Sequence, residues 1–368
     1  MGNIGEIDKN LAVTGTVQGV DLNFYNVRRD PFRVYGLIPG NEGEPFRRIP
    51  YELAEKANSG VLRLHTKTAG GRVRFKTDSA RVAIRAIMPK RCLMPHMTFL
   101  GSAGFDLYVK EGETNLYKGS FVPPIDRTDR YESLIEFGSR EMRDITIHFP
   151  LYDEVNELFV GIHPDSGLEP GDTYRSELPI IYYGSSITQG GCASRPGNAY
   201  TNIITRNLNM DHINLGFSGS GRGEAVMAEY IAEQPMSLFF YDYDHNAPDV
   251  EHLAKTHEAF FLTIREKNPD LPIIMASETD TPKTLQKAED ILRRREVILR
   301  TYADAVKRGD KKVAFIDGTE VFKEANKIGM SADSCTVDGV HPNDLGFACM
   351  AKVFGDVIRK ALGERMRT

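Results

Sequence analysis

The strongest constraint on this chain lies in its second half, where short apolar runs alternate five times with longer segments of helical period. Pro179–Tyr183, His212–Leu215, Leu238–Tyr241, Pro272–Ala276 and Val313–Ile316 read as strands. They are followed in turn by helical segments over Asn198–Leu208, Glu224–Glu233, Val250–Lys267, Lys283–Lys307 and Asp344–Leu362. Apolar runs without alternation suit strands covered on both faces, and parallel neighbours need crossover helices. The pattern therefore predicts a parallel sheet between helical layers, a three-layer α/β/α domain. Ligands of such open sheets gather beyond the carboxyl ends of the strands, so the residues following each strand are the ones to inspect for chemistry.

The first half has a different period. Arg72–Lys76, Phe105–Val109 and Ile145–Leu151 alternate apolar with polar residues, and turn-forming clusters such as Ala69-Gly70-Gly71 and Lys110–Glu113 separate them. Several short strands with frequent turns predict a β-sandwich of jelly-roll type. Tyr51–Ala57 is the one helical turn expected there. From His163 to Glu177 the chain passes Pro164, Gly167, Pro170 and Gly171, as a connection between domains does. A length of 368 residues suits two cores better than one, giving an N-terminal β-domain over 1–170 and an α/β domain over 171–368.

Composition narrows the classes of partner. With a net charge of −5 and no block of like charge, the chain lacks the clustered basic face that neutralises a phosphate backbone, so nucleic acid is excluded. No apolar stretch approaches membrane-spanning length. The start, Met1–Asn10, does not have the basic end and apolar run of a secretory signal, and Glu6 stands where myristoylation at Gly2 would expect Ser or Thr. A cytoplasmic protein without a membrane partner is expected. Cys92, Cys192, Cys335 and Cys349 are scattered without zinc or redox spacing, so free thiols, no metal and no cofactor are expected.

Four segments stand just beyond the predicted strands. Gly184-Ser185-Ser186-Ile187-Thr188 follows the first, where a serine hydroxyl can be exposed at a turn into a helix. Asn214-Leu215-Gly216-Phe217-Ser218-Gly219 follows the second, a glycine-rich loop lacking the lysine and spacing of a phosphate cradle. Asp242–Pro248 follows the third and carries Asn246. Asp338-Gly339-Val340-His341 precedes the last helix and puts a carboxylate and an imidazole on one tight turn. Each segment alone reads equally as a turn or a helix cap. Their convergence on one sheet edge supplies the parts of an acyl transfer. Ser186 is the nucleophile, His341 its base, and Asp338 the partner that holds the imidazole. The N–H groups of Ser186 and Gly219 and the amide of Asn246 are the oxyanion donors.

On these residues the chain resembles the SGNH (GDSL-like) hydrolase superfamily. Gly184–Thr188 resembles its first block, Gly219 its second, Asn246 its third, and Asp338-x-x-His341 its last, over roughly 179–362. The resemblance implies a serine nucleophile at Ser186, an oxyanion hole with Gly219 and Asn246, and a triad completed by His341 and Asp338. Two positions depart from the pattern. Ser185 replaces the usual aspartate, leaving a rival nucleophile open, and His245-Asn246-Ala247 replaces the more common Gly-x-Asn-Asp. In the first half, Gly104-Phe105-Asp106-Leu107-Tyr108 resembles the Gly-x-Asp-Leu-Tyr motif of a β-rich domain ahead of bacterial two-domain esterases.

The implied function is a serine esterase acting on acyl, above all acetyl, esters of carbohydrates. Its expected partner is a small-molecule or oligosaccharide ester, imported rather than polymeric, and a homo-oligomer is left open. Arg195, in the loop after the nucleophile, is a candidate substrate contact, although loop arginines are usually solvated. A lipase or thioesterase and an acyltransferase share the same serine chemistry. A non-enzymatic carbohydrate-binding protein is disfavoured, because a binding site gains nothing from matched Ser, His and Asp; the lack of Trp further weakens a sugar-gripping β-domain.

Overall fold

The computed structural model describes residues 17, 19–90, 93–126, 129–279 and 284–363. Gly2, Glu6, Cys92 and Lys283 lie outside the described residues. The chain forms two compact units, and neither is a continuous stretch of sequence. One comprises the described residues up to Arg47 together with Thr66–Asp172; the other comprises Arg48–His65 together with the described residues from Thr173 onward.

Among its described residues the first unit has ten strands: β1 Asn23–Asn26, β2 Arg33–Tyr35, β3 Arg72–Thr77, β4 Arg81–Ile87, β5 Phe105–Glu111, β6 Thr114–Phe121, β7 Arg130–Glu136, β8 Arg143–His148, β9 Glu157–Ile162 and β10 Leu168–Pro170. They form two antiparallel sheets, one ordered β1-β9-β4-β7 and the other β10-β3-β8-β5-β6, with β2 also paired to β3. The period-two pattern decides the register. Ile147 lies opposite both Val73 and Leu107, and Ile145 opposite both Phe75 and Val109. All six side chains point into one core with Val82, Ile84, Leu158 and Val160 of the other sheet. Truncating a residue such as Ile147 to alanine there would cost about 2–5 kcal/mol.

The opposite face of the larger sheet carries a polar row. Arg72 is level with His148, and His148 with Asp106; all three are fully buried. His148 Nδ1 lies 2.9 Å from Asp106 Oδ1, and Tyr108 packs edge-on against the His148 ring at 5.1 Å. The Gly-x-Asp-Leu-Tyr motif is thus a strand whose leucine serves the core while its aspartate and tyrosine clasp a histidine across the ladder. Leu168–Pro170, within the segment expected to be a plain connection, pairs with β3 as an edge strand.

The second unit holds five parallel strands, β11 Ile180–Gly184, β12 His212–Gly216, β13 Leu238–Asp242, β14 Ile273–Ala276 and β15 Val313–Ile316, in the order β12-β11-β13-β14-β15. Helices cover both faces. Tyr182, Tyr200, Phe240 and Phe354 interlock on one side, where helices Tyr200–Leu208 and Asp344–Leu362 pack. Ile181, Tyr183, Leu215, Met227, Phe239 and Phe260 fill the other. Helix Tyr200–Leu208 starts later than the sequence pattern suggests, because Pro196–Asn198 form a separate 3₁₀ turn and Ala199 is extended.

Residues 48–65 depart from expectation. Tyr51–Ala57 is helical as predicted, a second helix follows at Ser59–Leu64, and both belong to the α/β unit although the sequence sets them in the β-rich half. Their apolar stripe explains why: Ile49, Ala54, Val61 and Leu64 are buried in one cluster with Leu215, Phe217, Met227 and Ile231. Helices of seven and six residues have little stability of their own and persist through such packing.

Because the chain leaves β11 for β12 on one side and returns to β13 on the other, the order of the sheet reverses at β11. A crevice opens at such a switch point. Gly184, Gly216 and Asp242, at the ends of these three strands, are in register.

Candidate active site

The first element at the crevice is the turn after β11. Ser185 accepts the Ile187 N–H on its hydroxyl at 3.2 Å and is buried, so it caps the short helix Ser186–Gln189. That geometry gives Ser185 the role of a cap and puts Ser186 at the first helical position, where the backbone N–H has no intrahelical acceptor. The Ser186 hydroxyl lies 3.0 Å from His341 Nε2.

Beneath this turn is a buried carboxyl that the sequence reading missed. Thr188 donates its hydroxyl to Asp242 Oδ1 at 2.5 Å, and Tyr200 donates to Oδ2 at 3.2 Å. Burial raises the Asp242 carboxyl to about 7, helped by the nearby Asp244 charge and opposed by the Thr188 bond. Gly184 is needed for this contact: a Cβ there would fall 2.0 Å from Asp242 Oδ1 and 2.1 Å from Thr188 Oγ1. Its role is to let Asp242 and Thr188 approach the strand end. Position at a strand end was the available signal for Asp242, but only the fold reveals its partners.

The second element is the turn before the last helix. A bridge between Thr336 and Pro342 closes it, with the Val337 N–H donating to the His341 carbonyl. Asp338 Oδ1 accepts the N–H groups of Val340 and His341 at 2.9 and 2.7 Å, while Oδ2 lies 2.8 Å from His341 Nδ1. Partial burial pushes this carboxyl up, but the bonds from His341 and Val340 outweigh it and bring it down to about 2. An ionised Asp338 thus accepts Nδ1–H, leaving Nε2 to accept the Ser186 proton. The cap of the following helix is Asn343, which accepts the Gly346 N–H at 3.1 Å, so neither Asp338 nor His341 is spent as a cap.

The third element is the loop after β12. Gly219 has φ +65°, a left-handed conformation that favours glycine. Every carbonyl from Gly216 to Gly221 accepts a hydrogen bond. Arg48 donates to Gly216, and Ser220 N–H, Gly221 N–H and Asn246 to Phe217; Ser220 Oγ donates to Ser218, Arg222 to Gly219, Asn58 to Ser220, and Asn246 to Gly221. Gln189, at the end of helix Ser186–Gln189, accepts the Ser218 N–H at 3.0 Å.

Asn246 corrects the sequence reading. Its side-chain amide donates to the Phe217 carbonyl at 2.9 Å and the Gly221 carbonyl at 3.0 Å. An amide nitrogen has two hydrogens, and both are used. In this arrangement Asn246 is a tether of the glycine loop rather than a third free oxyanion donor. Arg195 is half-buried at the start of the Pro196–Asn198 turn. Its loop is anchored to the His341 turn, since Asp344 accepts from the Ser194 N–H and from Asn198 Nδ2 at 2.9 and 2.8 Å.

Cys192, Cys335 and Cys349 are free thiols. Burial, with the Asp338 charge adding to it, raises Cys192 to about 12, so it stays protonated beside the site.

Comparison with known proteins agrees with this architecture. Residues 177–359 match the model of the GDSL-like Lipase/Acylhydrolase family, and residues 22–168 match that of the N-terminus of SGNH-hydrolase-type esterases. No curated protein matches the chain. Among solved structures, a chain named as a GDSL-like lipase from Bacteroides ovatus ATCC 8483 is 29% identical, with a TM-score of 0.83, covering 93% of this chain and 98% of that one. The salicylyl-acyltransferase SsfX3 of a tetracycline biosynthetic pathway is 19% identical, with a TM-score of 0.75 and coverage of 94% and 98%. An acetyl xylan esterase from the rumen bacterium Butyrivibrio proteoclasticus is 14% identical, with a TM-score of 0.58 and coverage of 93% and 99%. The last two likenesses are of fold. Taken with the hydroxyl, imidazole and carboxylate at the reversal of a parallel sheet, the matches show that the chain belongs to the GDSL-like lipase/acylhydrolase family, carries the SGNH-esterase N-terminal domain, and is a carboxylic ester hydrolase.

Proposed function

We propose that the protein removes acetyl groups from acetylated carbohydrates through a Ser186–His341–Asp338 triad. The observation that carries this reading is the chain of contacts from Ser186 Oγ to His341 Nε2 at 3.0 Å and from His341 Nδ1 to Asp338 Oδ2 at 2.8 Å. Ser186 attacks the ester carbonyl while its proton passes to His341 Nε2, and Asp338 stabilises the imidazolium. The negative charge of the tetrahedral intermediate falls to the N–H groups of Ser186 and Gly219, with Asn246 holding the second in place. Collapse breaks the bond to the sugar oxygen, which takes the proton from His341 and leaves an acetyl-serine. Water, deprotonated by His341, then attacks that ester; acetate departs and Ser186 recovers its proton.

The sugar acetate is supported by the fold likeness to an acetyl xylan esterase along nearly the whole chain. The order β1-β9-β4-β7 over β3-β8-β5-β6 is read here as a jelly roll. Arg195, placed by the loop that Asp344 anchors, is read as a substrate contact. Acetate release from a panel of acetylated oligosaccharides, measured beside aryl esters of increasing chain length, tests the substrate class. Preference for acyl chains longer than butyrate would defeat it.

A second reading has its own support, because the salicylyl-acyltransferase is the nearer of the two distant folds. The same acyl-serine would then be discharged by an alcohol instead of water. Transfer to an added sugar acceptor exceeding hydrolysis would favour that outcome.

A further inference from the structure

We propose that Arg48 and Asn58 are positioning residues for the oxyanion loop, so that a segment from the β-rich half of the sequence sets the catalytic geometry of the α/β unit. The proposal deepens the reading above and rests on it.

The contacts form a directed series. Asn58 donates from Nδ2 to the Ser220 carbonyl at 2.9 Å and to Glu224 Oε1 at 2.7 Å. Its other amide atom is occupied, accepting the N–H groups of Gly60 and Val61 at the start of helix Ser59–Leu64. Gly60 lies against the same serine, for a Cβ there would come 2.1 Å from Ser220 Oγ. Ser220 is therefore held at its carbonyl and enclosed at its hydroxyl. That hydroxyl donates to the Ser218 carbonyl at 3.1 Å. The Ser218 carbonyl shares one rigid peptide plane with the Gly219 N–H, so fixing the oxygen aims the hydrogen.

Arg48 secures the other end of the loop. Its guanidinium is buried, donates to the carbonyls of Asn214, Gly216 and Leu64, and stacks 4.4 Å from the Phe217 ring centre. A planar fork that satisfies three carbonyls and stacks on a ring is not reproduced by an ammonium. Glu224 closes the loop's far end, accepting from Tyr183, the Arg222 N–H and Asn58.

An oxyanion donor works by being aimed before the charge develops, so loosening it should lower kcat and spare KM. The test uses Asn58→Asp and Arg48→Lys in the full chain with p-nitrophenyl acetate, rates being expressed per titrated active site. Asn58→Asp keeps an oxygen for the helix cap and removes the donor to Ser220. Each variant should lose roughly tenfold to a hundredfold in kcat with KM within about threefold. The shape of the pH–rate profile should be unchanged. Affinity for a boronic acid, whose tetrahedral adduct on Ser186 resembles the intermediate, should fall with kcat/KM.

Wild-type kcat in a folded variant, or a fall in kcat without a matching fall in boronate affinity, overturns the proposal. If one variant fails to fold, the other carries the same comparison. Ser186→Ala, run in parallel, separates the two levels. Activity lost there but kept in both brace variants rejects the brace alone, whereas activity kept in Ser186→Ala rejects the underlying triad and the brace with it.

Discussion

Two of the histidine–aspartate pairs among the described residues are of nearly equal length but lie in very different settings. In the β-rich unit His148 and Asp106 are 2.9 Å apart with both side chains wholly buried; in the α/β unit His341 and Asp338 are 2.8 Å apart with 25% and 40% of the side chains exposed. The first pair sits side by side on neighbouring strands, where it ties the ladder together. The second is on one turn at the end of a sheet, with a ring nitrogen facing a serine. The difference teaches that the pair itself is not the catalytic signature. Access, and what the far side of the imidazole meets, decide between a clasp and a base.

Mutation can break this contrast. The largest effect is expected for Ser186→Ala and His341→Ala, each lowering kcat by roughly 10⁴–10⁶-fold without changing the fold, with a double variant no worse than either single one. An additive double variant, measured by steady-state kinetics, would mean the two groups do not act as a unit. Asp106→Ala should do the opposite: breaking a buried pair costs about 3–5 kcal/mol of stability, while the activity of the folded fraction is unchanged. Denaturant melts beside active-site titration check both halves, and a loss of turnover at full stability would erase the distinction.

Asn246→Ala comes next. As a tether it should cost about tenfold to a hundredfold in kcat, at or below the lower end of the range of about 10²–10³-fold for loss of an oxyanion donor; an effect within about threefold would remove it from the machinery. The smallest effect concerns Asp242. Its folded pKa, about 7, lies above the ordinary carboxylate value. Its contribution to stability is therefore fully present below about pH 4 and is lost as pH rises through about 7. Asp242→Asn should flatten the decline in melting temperature over that window, and an unchanged slope would show that another group causes it.

The sequence revealed some of this better than the rest. The five strands of the parallel sheet were legible because strands buried on both faces leave uninterrupted apolar runs, and the first, β11, ends at the turn carrying Ser186. The Asp338–His341 turn was legible because its spacing is local. The allegiance of residues 48–65 was not, since Ala54, Val61 and Leu64 mark a buried stripe without saying which sheet it covers. For the same reason Asn246 could be placed near the crevice, but whether its amide met solvent or two carbonyls depended on a loop 25 and 29 residues away. The link of Arg48 and Asn58 to the glycine loop carried no signal at all, because their partners there are more than 160 residues distant.

The discontinuous composition of the α/β unit also has a consequence for synthesis. A nascent chain exposes the greasy side of residues 48–65 long before the segments that cover it, from Leu215 to Ile231, leave the ribosome. At translation speeds of about 5–20 residues per second, that interval lasts roughly 10–30 seconds. During that time the early helices are without the cover they have in the folded chain, so the hydrolase half cannot finish its interior until a piece made roughly 150 residues earlier has been kept in reserve.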